Sequence, residues 1–129
     1  AINPVLTCMF MAELKNIVLT AGHDADKLGE EINVLVSDGT EEYTKINGKQ
    51  QKLKKNDIFA TDRNSIISST LFGPDSRTAI TEKTSNFLFM CYYPFEIDDK
   101  EISEHMSDIT NYLKMCSHNG TETSEIQII

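Results

Sequence analysis

The stretch "SNFLFMCYYPFEIDDKEISEHMSDITNYLKMC", residues 85–116, decides the fold class. Its first nine residues are almost uninterruptedly apolar and rich in aromatics, the pattern of a strand covered on both faces. Pro94 ends that run. Asp98 or Asp99 then supplies a helix cap, and Ile102, Met106, Ile109 and Leu113 recur at three- and four-residue spacing. A strand and a helix therefore succeed each other within one segment, and the strand is expected to be central.

Working outward, Asn3-Pro4 is a helix start: a capping side chain followed by a residue with no N–H to satisfy. Leu6, Met9, Phe10, Leu14, Ile17 and Val18 continue one apolar helix face to about Thr20. "AGHDADKLGEE" (21–31) reads as loop. "INVLVSD" (32–38) reads as a well-covered strand. "EEYTKINGKQQKL" (41–53) reads as a hairpin around Asn47-Gly48, the residue pair of a type I′ turn. "DIFATD" (57–62) and "SIISSTLF" (65–72) read as two further strands joined around Arg63-Asn64. The order helix, strands, helix gives an α+β class: a mixed, largely antiparallel sheet with an N-terminal helix and a C-terminal helix. Residues 1–116 are expected to form a single domain, and "SHNGTETSEIQII" (117–129) a flexible C-terminal tail.

With 129 residues the chain is long enough for one core. Its net charge of −8 repels phosphate backbones at long range. The lysines are unevenly placed: Lys45, Lys49, Lys52, Lys54 and Lys55 fall in "KINGKQQKLKK", which contains no acid. A solvated hairpin tip accounts for them more simply than a nucleic-acid face. No apolar run reaches the ~20 residues of a membrane span, and no signal peptide is visible. Cys8, Cys91 and Cys116 are far apart and lack a C-x-x-C spacing, which suits reduced thiols and a cytoplasmic setting. No P-loop, dinucleotide fingerprint or metal-ligand cluster is present, so no cofactor is expected.

Two segments carry candidate chemistry. His23 lies beside Asp24 and Asp26 in a glycine-containing loop. An imidazole among carboxylates suits a general base or a metal ligand, and the same aspartates suit turn caps. His105 and His118 have no ligand spacing and read as surface histidines. "FGPDSRTAITEKTSN" (72–86) holds more hydroxyls than a turn requires. Asp75, Ser76, Arg77 and Thr78 suit polar substrate contacts, or a loop tied down by side-chain-to-backbone bonds with an exposed Asp75–Arg77 pair. Thr81, Thr84 and Asn86 read as hydrogen-bonded turn residues leading into the next strand. Ser76 has no nucleophile signature, so no catalytic residue is assigned.

Taken in order, "INPV" entering a helix, "GHDADKLG", "DGTEEYTKINGKQQKL", "NDIFATD" and "DSRTAITEKTSN" before an apolar strand resemble a known family. The resemblance is to the B3/B4 module of the phenylalanyl-tRNA synthetase beta chain, and more closely to free-standing B3/B4 domain proteins. It runs from Ile2 to about Leu113. It implies that the segment Thr7 to Phe10, the loop Ala21 to Asp26 and the loop Gly73 to Thr78 line one pocket for the adenine end and amino acid of a mischarged tRNA. Asp75, Ser76, Arg77, Thr78, His23 and Asp24 would then be the substrate-binding residues. Hydrolysis there needs a positioned water rather than a covalent nucleophile.

The chain departs from the synthetase pattern at three points. Ala21 stands where the synthetase has histidine, with His23 two residues later. Leu6, Thr7 and Phe10 replace the V-D-x-x-N pattern of the first helix. Gly73-Pro74-Asp75 replaces the G-G-E loop. The resemblance also implies that the chain is the C-terminal part of a B3/B4 protein, with surface that pairing into a homo-oligomer would cover. It points to two functions. One is binding of an aminoacyl-tRNA 3′ end or a related aminoacyl ester, extending to deacylation in trans. The alternative is a non-catalytic binding or protein-interaction module. No membrane partner is expected.

Overall fold

A computed structural model describes residues 3–94 and 96–116. The expected tail at 117–129 and His118 lie outside the described residues. The chain divides into two compact units, Ala1–Thr20 with Cys91–Ile129, and Ala21–Met90.

The first unit contains the two helices, α1 (Pro4–Asn16) and α2 (Asp99–Cys116). Asn3 caps α1 by accepting the Val5 N–H at 2.9 Å, with Pro4 in the first turn. The helix stops at Asn16, short of the expected Thr20. Ile17 turns left-handed at φ 55° and its N–H bonds the Glu13 carbonyl. A β-branched residue resists that conformation, so the exit is set by the residues just beyond it. The Glu13 carboxylate accepts the Thr20 N–H at 2.6 Å and holds the returning chain. At α2, Asp98 caps by accepting the Glu101 N–H at 2.8 Å.

Cys8, Met9 and Ala12 of α1 and Ile102, His105 and Ile109 of α2 form the buried faces. The helices run antiparallel: Lys15 Nζ meets Asp108 Oδ2 at 3.1 Å, while Cys8 Sγ lies 3.7 Å from Cys116 Sγ at the other end. His105, expected on the surface, is fully buried. It lies one turn after Ile102 on the packed stripe, and two polar neighbours make burial tolerable. Its Nδ1 is 3.0 Å from Asn16 Nδ2 and its Nε2 is 2.7 Å from Thr20 Oγ1. Burial holds its pKa below the ordinary histidine value, against the opposing charge of Asp108.

The second unit carries the sheets. β1 (Leu19–Asp24) replaces the start of the expected 21–31 loop, and only Ala25–Lys27 forms a 3-10 turn. The polar residues that disguised this strand are enclosed, with partners on neighbouring loops. β2 (Asn33–Val36), β5 (Ile58–Thr61), β6 (Ile66–Ser69) and β7 (Gly73–Pro74) form an antiparallel sheet in the order β2-β5-β6-β7. The register pairs Val34 with Ala60 and Ala60 with Ser68. β2 is not the covered strand its composition suggested. It is the sheet edge, and all four residues are exposed.

β3 (Glu42–Thr44) and β4 (Gln50–Lys52) form the expected hairpin. Its turn is not type I′, because only Gly48 has positive φ, at +82°. The Gly48 N–H bonds the Lys45 carbonyl at 2.8 Å, and Lys45 N–H bonds the Lys49 carbonyl at 2.9 Å. This is a type I turn closed by a left-handed glycine. β8 (Phe87–Tyr92) pairs with β1 in a two-stranded sheet and is half-buried throughout, so it is not the central strand expected. The chain passes between units within β1 and within β8. Tyr43, Leu53 and Phe59 form the core of the second unit, with Ile66 and Phe72 packed against them. The architecture is α+β with antiparallel sheets, as the sequence order implies.

Candidate functional site

The site is assembled within the second unit by the segment after β7. An isolated bridge between Lys45 and Asp75 lays that segment beside the hairpin. The Ser76 N–H bonds the Thr44 carbonyl at 3.0 Å and the Asp75 N–H bonds the Ile67 carbonyl at 2.8 Å. Tyr43 donates its hydroxyl to the Gly73 carbonyl at 2.7 Å. Gly73 holds φ +83°, a conformation suited to glycine.

Asp62 is the polar hub. Its side chain is wholly buried and accepts the Arg77 guanidinium at 2.6 Å. It also accepts the backbone N–H groups of Gly29 at 2.7 Å, Asn64 at 2.9 Å and Ser65 at 3.0 Å. Burial alone would raise its pKa, but Arg77 and these N–H donors together hold the carboxyl well below the usual carboxylate range. Arg77 further donates to Ser65 Oγ and to the Lys27 carbonyl. Its partner is therefore Asp62, not Asp75 as the sequence suggested.

Asp75 faces the other way, into a buried chain of hydrogen bonds. Its carboxylate accepts both the backbone N–H and the hydroxyl of Thr78. Thr78 Oγ1 is in turn 2.8 Å from His23 Nδ1. An ionised Asp75 requires the hydroxyl to donate to it, so His23 Nδ1 carries the proton and donates to Thr78. His23 Nε2 is then the bare nitrogen, and it is buried with no partner. Burial pushes the pKa of His23 down to about 4, despite the opposing charge of Asp62. Burial pushes the pKa of Asp75 up, against the hydrogen bonds of Thr78.

The 21–26 loop meets the 73–78 loop directly. The Asp24 N–H bonds the Thr78 carbonyl at 2.8 Å. Asp24 accepts the Thr84 hydroxyl at 2.8 Å and the Asp26 N–H at 3.0 Å. Asp26 accepts Asn86 Nδ2 at 3.0 Å. Thr81 and Thr84 close their own turn, with the Thr81 N–H bonded to Thr84 Oγ1 at 2.9 Å. These are the turn contacts expected of Thr81, Thr84 and Asn86.

A recess of about 330 Å³ opens beside this framework. Its lining includes Asp75, Ser76, Arg77, Glu42, Tyr43 and Ile66. The six expected site residues thus divide. Asp75, Ser76 and Arg77 belong to the recess lining, with the Asp75 carboxylate itself buried against Thr78, whereas Thr78, His23 and Asp24 lie outside that lining and tie the two loops together. The remaining expected wall, Thr7 to Phe10, belongs to the other unit. Glu42, Tyr43, Gln50 and Ser65 were not anticipated as lining. The alternation of "EEYTKI" was the only signal for Glu42 and Tyr43, and it could not show which strand the 73–78 loop would cross; Gln50 and Ser65 had none. Asp62 was also missed, although an acid ending an apolar strand is a natural partner for the arginine of the polar loop. The hairpin lysines Lys49, Lys52, Lys54 and Lys55 are exposed, as a solvated tip requires.

Among the described residues no group of histidine, cysteine and acidic side chains could hold a metal ion, and no helix is long and apolar enough to cross a membrane.

His23 makes stability depend on pH. Its folded-state pKa lies below the unfolded value, so the unfolded chain binds the extra proton. The stabilisation is complete above pH ~6.5 and is lost progressively as pH falls towards about 4. At ~1.4 kcal/mol for each pH unit between the two values, the loss is about 3 kcal/mol. Urea midpoints at pH 7 and pH 4.5 measure it. His23→Gln should flatten the profile, leaving a contribution from His105 of the same sign and one of opposite sign from Asp75, whose pKa is raised on folding.

The sequence profile of the B3/4 domain family matches residues 6–115. Among solved structures, the chain is similar to an N-terminal fragment of the phenylalanyl-tRNA synthetase beta-subunit from Pyrococcus horikoshii. The TM-score is 0.70 at 14% identity, over 84% of this chain and 38% of that one. This chain therefore spans well under half of that fragment's length. No curated protein matches the sequence.

Proposed function

The chain belongs to the B3/4 domain family, and from that premise we propose that the recess of the second unit binds the aminoacyl end of a tRNA or a related aminoacyl ester. The observation that carries this reading is the mixed lining of the recess, where the exposed carboxylate of Glu42, the hydroxyl of Ser76, the half-exposed guanidinium of Arg77 and the apolar bodies of Tyr43 and Ile66 meet. An aminoacyl ester presents an α-ammonium group, a polar ester with its ribose, and a side chain. The Glu42 carboxylate complements the ammonium, Arg77 and Ser76 suit the ribose and phosphate oxygens, and the apolar wall suits the side chain. A recess of about 330 Å³ matches an aminoacyl group rather than a folded nucleic acid. The net charge of −8 argues in the same direction, since it offers little long-range attraction for a polyanion.

A second reading adds ester hydrolysis. Asp75 favours it, because a carboxyl in the recess lining whose pKa is raised by burial is suited to taking a proton from water once it turns from Thr78 towards the recess. His23 does not serve that role as placed, because its free nitrogen is sealed from solvent.

Incubation with mischarged Tyr-tRNA separates the two readings. Binding alone predicts retention of the charged tRNA on a filter while the ester is lost at its uncatalysed rate. Hydrolysis predicts faster release that falls at least tenfold in Asp75→Asn, a variant that keeps an oxygen for Thr78. Neither retention nor release, from a preparation shown to be folded, would remove both.

A further inference from the structure

We propose that Cys8 and Cys116 are a thiol pair that a small-molecule disulfide of the glutathione class converts to an intramolecular disulfide, locking α1 to α2. Their sulfurs already lie 3.7 Å apart across 108 residues of sequence. Closing to a disulfide length of ~2.05 Å requires a movement of about 1.7 Å, which rotation of the two side chains and a small shift at the helix end can provide. The end in question is the last turn of α2, where Cys116 is exposed. Position, not sequence spacing, makes the pair: the antiparallel packing that brings Lys15 to Asp108 two turns away also sets the two sulfurs side by side.

The two thiols have different roles. Cys116 is open to solvent and is the point of attack on an incoming disulfide, whereas Cys8 is 2% exposed and inaccessible to it. In the first step the Cys116 thiolate bonds one sulfur of oxidised glutathione and expels one glutathione thiolate, leaving a mixed disulfide on Cys116. In the second step Cys8 loses its proton and bonds the Cys116 sulfur. The second glutathione leaves as a thiolate and takes up a proton. One disulfide is reduced and one is formed, so two electrons and two protons balance. Burial, together with the neighbouring sulfur, pushes the pKa of Cys8 up to about 11. The closing step is therefore slow at neutral pH and quickens as pH rises. Cys91 is not part of the pair. It is directed to Met106 Sδ at 3.3 Å and Thr20 Oγ1 at 3.7 Å. The bond closes a long loop of the unfolded chain, so it stabilises the fold without any new contact.

The test treats the whole chain with oxidised glutathione and maps peptides under non-reducing conditions. The expected product is a monomer lighter by two hydrogens, carrying a Cys8–Cys116 linkage and one remaining thiol at Cys91. Its Tm should rise by on the order of 10 °C and fall back with dithiothreitol. Cys91→Ser should leave the crosslink intact. Cys8→Ser should stop at a stable glutathione adduct on Cys116. Cys116→Ser, at an exposed position that keeps the test valid where Cys8→Ser fails to fold, should give no intramolecular bond. A Cys116–Cys116 dimer, a linkage through Cys91, a wild-type adduct that never resolves, or no reaction would each overturn the proposal.

Discussion

Asp62→Ala should lower the stability of the second unit by about 3–5 kcal/mol, the cost of leaving a buried or half-buried cation and several N–H groups without their acceptor. The side chain is wholly enclosed and joins distant segments: the Arg77 loop, Gly29 after the 3-10 turn, and the Asn64 and Ser65 turn. Arg77 is itself 37% exposed, so part of its charge returns to water and the loss belongs at the lower end of that range. Asp62→Asn should cost less, because an amide oxygen still accepts some of the N–H donors. The folded-state pKa of Asp62 is depressed, so its contribution is complete above pH ~3.9 and disappears as pH falls below that value. This window lies beneath the one set by His23, and an acid titration followed by calorimetry should show two successive losses. A substituted protein within about 1 kcal/mol of the parent would refute the role of Asp62 as hub.

Thr78→Val is the second large effect, at about 3 kcal/mol. The substitution keeps the volume of a residue that is completely buried, so the loss is polar and not one of packing. It removes the hydroxyl between Asp75 and His23. Asp75 keeps the Thr78 backbone N–H at 3.2 Å but loses the hydroxyl, and the N–H of His23 loses its acceptor. Either tautomer of His23 then leaves a buried N–H unpaired, because Nε2 has no partner either. Urea denaturation measures the loss. The same variant should also loosen the Asp75 wall of the recess and weaken ligand binding.

Both helices, the hairpin and the β5–β6 pair were legible from apolar spacing and turn residues, because each is a local pattern. Other features were not, and for three of them the physical reason is plain. From Ala21 on β1 looked like a loop because His23 and Asp24 are polar, yet the hydroxyls of Thr78 and Thr84 pair with one nitrogen of His23 and with Asp24 when these are buried. β2 looked like a covered strand because "NVLV" is apolar, but composition does not show whether a strand stands at an edge. His105 looked solvated because its partners, Asn16 and Thr20, lie about 85–90 residues earlier in sequence. At the site, the polarity of the 75–78 run pointed to the correct segment. It could not divide that run into side chains that open to the recess and side chains that hold the loop, since tertiary contacts set whether Asp75, Ser76 and Thr78 turn outward or inward. The pairing of Arg77 with Asp62 is likewise a tertiary fact.

The central claim is that the recess between the hairpin and the 75–77 segment holds an aminoacyl ester. Isothermal titration with adenosine carrying a non-hydrolysable 3′-tyrosylamide tests it most directly, with adenosine alone as the reference. The protein and a Ser76→Phe variant are compared. Ser76 is exposed at the wall of the recess, so a larger side chain there fills the space without entering the core. Saturable binding of the tyrosylamide, at least tenfold weaker for adenosine and lost in folded Ser76→Phe, is the predicted result. Equal binding by the protein and by Ser76→Phe, or no binding at all, would contradict it.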